Sequence, residues 1–205
     1  MSATEADYFH FGQVREEGDL ARVFDGIVPL NGENDAAPFV SLDDHEDHES
    51  YLKTIRSKTR KNLRNARNRL EREAVVEHRV AHEGELMGRV IDRAYQGREA
   101  WLERLGITSR AFRDQDFEAF LKRFADREKS KGVETIAMSL KHGDKAISDQ
   151  WGFVYRGRYY AFMATWNPEY EAVSPGRLHL GEVIKTCFER GFDTADFMIP
   201  ASSYK

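Results

Sequence analysis

Residues 133–166 read as three apolar runs separated by two short glycine turns: "VETIAMSL", "KHGDK", "AISDQWGFVY", "RGR", "YYAFMATW". The runs are rich in β-branched and aromatic residues. Tight turns of this kind join neighbouring antiparallel strands. The pattern therefore predicts a three-strand meander, a sheet nucleus that the rest of the chain must cover. The loop "NPEYEAVSPG" follows it. Then "RLHLGEVIKTCFERG" predicts a helix stopped at Gly191 by a left-handed C-cap, and "DTADFMI" a final strand. A strand–loop–helix–strand unit returns its second strand parallel to the first. The expected class is α+β: a mixed sheet flanked by helices rather than a doubly wound one.

The upstream half carries weaker signals. "DYFHFGQV" predicts a short strand. "GDLARVFDGI" predicts a helix, with Leu20, Val23, Phe24 and Ile27 at helical spacing. "PLNGENDAAP" is loop by composition, and "PFVSL" a short strand. The acidic "DDHEDHES" is expected to open one long helix running to about Glu73. "AVVEHRVAH" alternates as a strand does. Two further helices are expected, one with Leu86, Val90, Ala94, Trp101 and Leu105 near one face. The other turns Phe117, Phe120, Leu121 and Phe124 inward and stops at Gly132.

Within the long helix lies "IRSKTRKNLRNARNRLE", with seven Arg or Lys residues. Leu52, Ile55, Thr59, Leu63, Ala66 and Leu70 form one stripe at steps of three and four, with Arg56, Arg60, Arg64 and Arg67 along one flank. A solvated face accounts for such charges. A four-arginine flank beside a cleft would instead serve an anion. The formal net charge of −4 argues against a duplex-binding domain.

Hydrophobic residues are 40% of the 205, with thirteen Phe, eight Tyr and three Trp, enough for a sizeable core. The single cysteine, Cys187, rules out an intramolecular disulfide and falls in an apolar helical pattern. No stretch approaches the roughly eighteen apolar residues of a membrane span. The first residues lack a signal-peptide pattern, which makes a cytoplasmic location the default expectation.

Three places could carry chemistry. "SPGRLH" opens a helix whose first N–H groups lack partners and whose dipole is positive there. Ser174, Gly176 and Arg177 are the residues to receive a phosphate or pyrophosphate. Plain capping is the other reading, and neither a Walker loop nor a GxGxxG fingerprint is present. His179, in the same turn, is either a ligand contact or a half-exposed helix histidine. Asp149 alternates with Ile147, Trp151, Phe153 and Tyr155 on one strand face. A carboxylate there either reaches a partner or lines a cleft as a base, because burying it unpaired is costly. His45 and His48 in "HEDH" belong to a solvated helix start, with metal binding as the alternative.

"PFVSL", "SKTRKNLRNARNRLE", "AYQGREAW", the stretch from "AISDQWGFVY" to "DTADFM" and the terminal "YK" stand in an order that resembles the CelD/BcsL-type acetyltransferase-like proteins. These are GNAT-like proteins associated with bacterial polysaccharide synthesis and related to the Fem aminoacyltransferases. The resemblance implies a GNAT-like fold whose helix-opening loop, Ser174 to His179 with Leu178, holds the pyrophosphate of acetyl-CoA or another acyl-CoA. It implies Tyr204 as the acid for the leaving thiolate and Lys205 as a stabiliser of the reacting carbonyl. Trp101 corresponds to a family tryptophan, while the histidine often found just before it is absent. With Trp151, Arg56, Arg60 and Arg64, it makes up the expected acceptor side. The implied function is N-acyl transfer from acyl-CoA to an amine, such as one on a sugar or cell-envelope precursor, without a metal. The alternatives are Fem-like aminoacyl transfer from aminoacyl-tRNA and a non-catalytic module that binds polysaccharide or nucleic acid. Residues 1–42 are expected to be the tail end of a preceding GNAT-like half. Residues 43–205 are expected to be a GNAT-like domain incomplete at its C-terminus, whose open edge invites a homodimer.

Overall fold

The structure is a computed structural model that describes residues 14, 18–24, 36–125 and 132–198. The chain divides into two units, residues 1–34 and 35–205. Within the first, the described element is helix α1, Asp19–Phe24. The strand expected at 7–14 and the loop after Ile27 lie almost entirely outside the described residues.

The second unit is built on a six-stranded sheet. Its strands are β1 (Phe39–Ser41), β2 (Val76–Ala81), β3 (Val133–His142), β4 (Lys145–Tyr155), β5 (Arg158–Trp166) and β6 (Thr194–Asp196), in the order β1-β6-β5-β4-β3-β2. The meander β3–β4–β5 is antiparallel, with turns at Gly143 and Gly157, both at positive φ. β6 runs parallel to β5, as the strand–loop–helix–strand pattern requires. β2 joins β3 and β1 joins β6, both antiparallel. The α+β mixed sheet with flanking helices is the GNAT-like fold.

Helices cover both faces. On one lie α2 (His48–Thr54), α3 (Ser57–Glu71) and α7 (Pro175–Glu189). α7 buries His179, Val183, Ile184 and Cys187 against Ile136, Met138, Tyr159 and Ala195. On the other lie α4 (Gly84–Leu105) and α6 (Phe117–Ala125), joined through the short α5 (Arg110–Arg113). Val90, Ile91, Ala94 and Leu121 meet Ala137, Trp151 and Met163 there. Leu121 is buried, but Phe120, expected inward, is 50% exposed and stacks on Phe117 and Phe124 along the helix surface.

The single long helix expected to Glu73 is two helices. Ile55 and Arg56 take extended backbone, ψ 135 and 132, which ends α2 and starts α3 afresh. α2 opens on a capping box: Asp47 Oδ1 accepts from the Ser50 N–H at 2.7 Å, and Ser50 Oγ accepts from the Asp47 N–H at 3.2 Å. The break divides the predicted stripe. Leu63, Ala66 and Leu70 remain on the inner side of α3, while Thr59 is exposed.

Candidate functional site

β5 and β6 pair only over Arg158–Tyr160 and Thr194–Asp196. β5 continues to Trp166, and the chain after Asp196 bends away through Met198, at φ 53. The Phe197 N–H bonds Pro38 O instead of β5. Among the described residues the sheet therefore opens into a V along residues 161–166 of β5, where β6 supplies no partner. Phe162, Ala164 and Trp166 are exposed along that stretch. A β-bulge in the β4–β5 pairing, between Trp151 and Gly152, puts Phe162 and Met163 on the same face of this stretch.

At the end of β5 the chain is led directly into α7. Asn167 Oδ1 accepts from the Glu169 N–H at 3.0 Å and starts a 3-10 helix, Pro168–Val173. Ser174 takes the left-handed region (φ 52, ψ 60) and Pro175 opens α7. Gly176 lies against Trp166: a Cβ there would be 3.9 Å from the indole Cδ1. Arg177 is exposed beside it. The positive end of α7 and the exposed tip of β5 thus meet at Ser174, Gly176 and Arg177.

Leu178 and His179 do not join them. Leu178 packs against the Leu70–Val76–Leu140 cluster. His179 is 1% exposed, so it is neither a surface ligand contact nor half-exposed. Its place in the buried stripe with Val183 and Cys187 turns it to the sheet, where Nδ1 lies 3.0 Å from Ser148 Oγ. Ser148 donates to Thr165 O at 3.1 Å, which assigns the Nδ1 proton to His179. Nε2 has no hydrogen-bond partner among the described residues, and the His78 ring stands edge-on at 5.4 Å. Burial, and then His78, push the His179 pKa down to about 3.

Asp149 reaches a partner rather than lining a cleft. Arg93 of α4 donates from Nε to Oδ2 at 2.6 Å and from Nη2 to Oδ1 at 3.0 Å, and Asp149 is 2% exposed. Sequence reading missed Arg93. Its signal is an arginine beside the apolar stripe of α4, three residues after Val90, opposite a lone acid on an apolar strand face. Ile147 leaves that face: a register shift at Leu140/Lys141 turns it toward Leu70, Leu140 and Val173.

Trp151 is 0% exposed in the core between α4 and the sheet, so it is not open to an acceptor. Trp101 is half-buried on α4, with the Arg98 guanidinium 4.3 Å over its ring. Arg56, Arg60 and Arg64 are exposed. Arg67 differs: it pairs with Glu71 at 2.8 Å and with Glu182 of α7, docking α3 on α7. His45 and His48 pack around Tyr51 and Phe188. Among the described residues no group of His, Cys, Asp or Glu is placed to hold a metal ion. None of the described helices is long and apolar enough to cross a membrane. Tyr204 and Lys205 lie outside the described residues.

A split between parallel strands with a helix N-terminus at its mouth is the arrangement of an acyltransferase fold. Residues 57–205 match the family model described as an acetyltransferase (GNAT) domain, and the chain belongs to that family. Among solved structures it is similar to FemX, with 11% identity and a TM-score of 0.56, over 84% of this chain and 56% of that one. It is also similar to L-PGS from Bacillus licheniformis, with 19% identity and a TM-score of 0.48, over 82% of this chain and 47% of that one. A third is the C-terminal domain of a putative lysylphosphatidylglycerol synthetase from Agrobacterium fabrum, with 14% identity and a TM-score of 0.47, over 80% of this chain and 46% of that one. The chain spans about half the length of these structures. A search of the curated proteins finds no match.

Proposed function

We propose that the chain is the donor-binding part of an N-acyltransferase, which moves an acyl group, acetyl in the simplest case, from acyl-CoA to an amine. The observation that carries this reading is the V between β5 and β6 with the start of α7 at its mouth. Ser174, Gly176 and Arg177 would receive the pyrophosphate. The edge of β5 beyond Tyr160, unpaired on its β6 side among the described residues, would offer backbone groups to the amide-bearing arm, as a sheet edge does to an added strand. In the transfer the amine nitrogen bonds the thioester carbonyl carbon and gives up a proton to solvent, the C–S bond breaks, and the thiolate takes a proton. We assign that proton to Tyr204 and stabilisation of the carbonyl to Lys205, both on the family resemblance. Asp149, with both oxygens engaged and almost no exposure, is assigned to positioning Arg93. Trp101 and the exposed Arg56, Arg60 and Arg64 are retained as acceptor-side residues, fit for an anionic acceptor. The polysaccharide or cell-envelope setting rests on the CelD/BcsL resemblance.

The family resemblance to the Fem aminoacyltransferases keeps aminoacyl-tRNA as the second donor to test. Isothermal titration separates the two. Acetyl-CoA is expected to bind saturably, and Gly176→Trp is expected to abolish binding; its melting temperature is read beside it, since a Cβ there makes only an ordinary 3.9 Å contact with Trp166. A chain that ignores acetyl-CoA but retains aminoacyl-tRNA in a filter assay would overturn the acyl-CoA reading.

A further inference from the structure

The face of the sheet opposite α7 carries a second polar opening. α4 packs tightly on the sheet at Gly97, where a Cβ would come within 2.8 Å of Thr165 Cβ. Toward β2 a pocket of about 110 Å³ lies between helix and sheet, lined by Arg79, Leu86, Arg89, Arg93, Ser139, Lys141, Asp144 and Ala146. Arg79, Ser139 and Asp149 occupy one cross-strand row of β2, β3 and β4. Ser139 is 0% exposed, and its Oγ has no hydrogen-bond partner among the described residues. A buried hydroxyl without a partner is destabilising, because it has given up its bonds to water. In the middle of a sheet, beneath four cations, that cost points to a ligand acceptor.

The charges are consistent with this. Arg93 uses Nε and Nη2 on Asp149, which holds the guanidinium plane while Nη1 makes no hydrogen bond among the described residues. Lys141 has no ion pair among them. The acids nearby are accounted for: Asp149 is taken by Arg93, Glu77 by Arg79 at 2.8 Å, and Glu85 by Arg89. The last two pairs are exposed, and such pairs are worth little, so both arginines can exchange them for a better anion. Asp144 is the one acid in the lining itself.

We propose that this pocket binds a phosphate group. Arg79, Arg89, Arg93 and Lys141 neutralise it, and the Ser139 hydroxyl donates to one of its oxygens. The pocket is on the other sheet face from α7, so the inference does not depend on the donor reading. The phosphate is either free inorganic phosphate or part of a phosphorylated substrate.

Isothermal titration of the full chain with inorganic phosphate and with a hexosamine phosphate at low ionic strength tests it. Saturable binding is expected. Lys141→Met is expected to weaken it at least about tenfold, the scale of one charge-assisted hydrogen bond. Ser139→Ala, which removes the unpartnered hydroxyl, is expected to weaken binding while leaving the melting temperature unchanged or higher. A merely structural serine would leave phosphate affinity untouched. Arg177→Ala, at the start of α7, is expected to bind as the unsubstituted chain does. Tighter binding of the ester assigns a substrate-borne phosphate, and equal binding assigns the free ion. Two results would overturn the proposal: no saturable binding of either probe, or unchanged affinity in whichever of the Lys141 and Ser139 variants melt cooperatively.

Discussion

Arg93 and Asp149 join α4 to β4 by a side-on, two-bond ion pair, with Asp149 2% exposed and the Arg93 side chain 36% exposed. The hydrogen bonds that Arg93 donates to Asp149 raise the Arg93 pKa above its ordinary value, so the arginine keeps its charge at any working pH. Removing one partner from such a pair leaves an uncompensated charge in the interior. Arg93→Met is therefore expected to cost about 3–5 kcal/mol of stability. The double change Arg93→Met with Asp149→Leu should recover most of it. Denaturant melts of the three proteins check this; a single variant as stable as the unchanged chain would show that the pair does not hold α4.

Where a backbone or burial rule acts locally, the sequence was legible. Gly143, Gly157 and Gly191 sit at positive φ where turns or a helix end were expected, and the parallel β5–β6 pairing followed from element order. The α2–α3 break was hidden because neither Ile55 nor Arg56 is a helix breaker; tertiary docking of Tyr51 on Phe188 and of Arg67 on Glu182 accompanies it. The start of α7 at Pro175 was legible from the Ser-Pro-Gly run, since its signals are local backbone ones. His179 and Trp151 were misjudged for one reason: alternation and spacing assign a face, but only the opposing layer decides whether that face is open. Arg93 was invisible because its partner lies fifty-six residues away.

Gly152 marks the bulge between β4 and β5. A Cβ there would collide with the Tyr160 carbonyl oxygen and come within 3.0 Å of its carbon and 3.1 Å of Phe162 N. Those atoms are backbone and cannot rotate away. Gly152→Ala is expected to destabilise by about 1–3 kcal/mol, the usual range for overpacking. Gly181→Ala, which meets nothing within 4 Å, should be neutral or stabilising. Equal melting temperatures for the two variants would contradict the close approach.

Four arginines share one flank in the sequence, but among the described residues only Arg67 of the four carries ion pairs, to Glu71 and Glu182. Arg67→Ala is expected to lower stability by about 1 kcal/mol, as a partly exposed network loses. Arg60→Ala and Arg64→Ala should stay within about 0.5 kcal/mol. Melting all three in 0.05 and 0.5 M salt checks the assignment: only the Arg67 difference should shrink with salt.

Tyr204 is assigned the leaving-group proton. Tyr204→Phe is expected to lower kcat at least about tenfold, within the range of general acid catalysis, while the acyl-CoA Kd stays unchanged. Unchanged kcat would remove the residue from the mechanism. A raised Kd with unchanged kcat would place it in binding instead.

His179 and His78 give the fold an acid sensitivity of definite sign. Both are held below the usual histidine pKa, His179 at about 3, chiefly by burial. In the unfolded chain each titrates near 6.5, so between pH 6.5 and 3 the unfolded state binds more protons. Stability is fully present above pH 6.5 and falls as pH drops toward 3. The slope approaches about 1.4 kcal/mol per pH unit for each group that stays neutral in the fold. His179→Leu removes one of these protons from the balance and leaves Ser148 free to keep its bond to Thr165 O. It is expected to lose less stability than the unchanged chain between pH 7.5 and 4.5, whatever its absolute stability at pH 7.5. Chemical denaturation at the two pH values measures that difference. Parallel losses in both proteins would mean that His179 takes up its proton without unfolding, and that the packing of α7 on β4 opens to admit it.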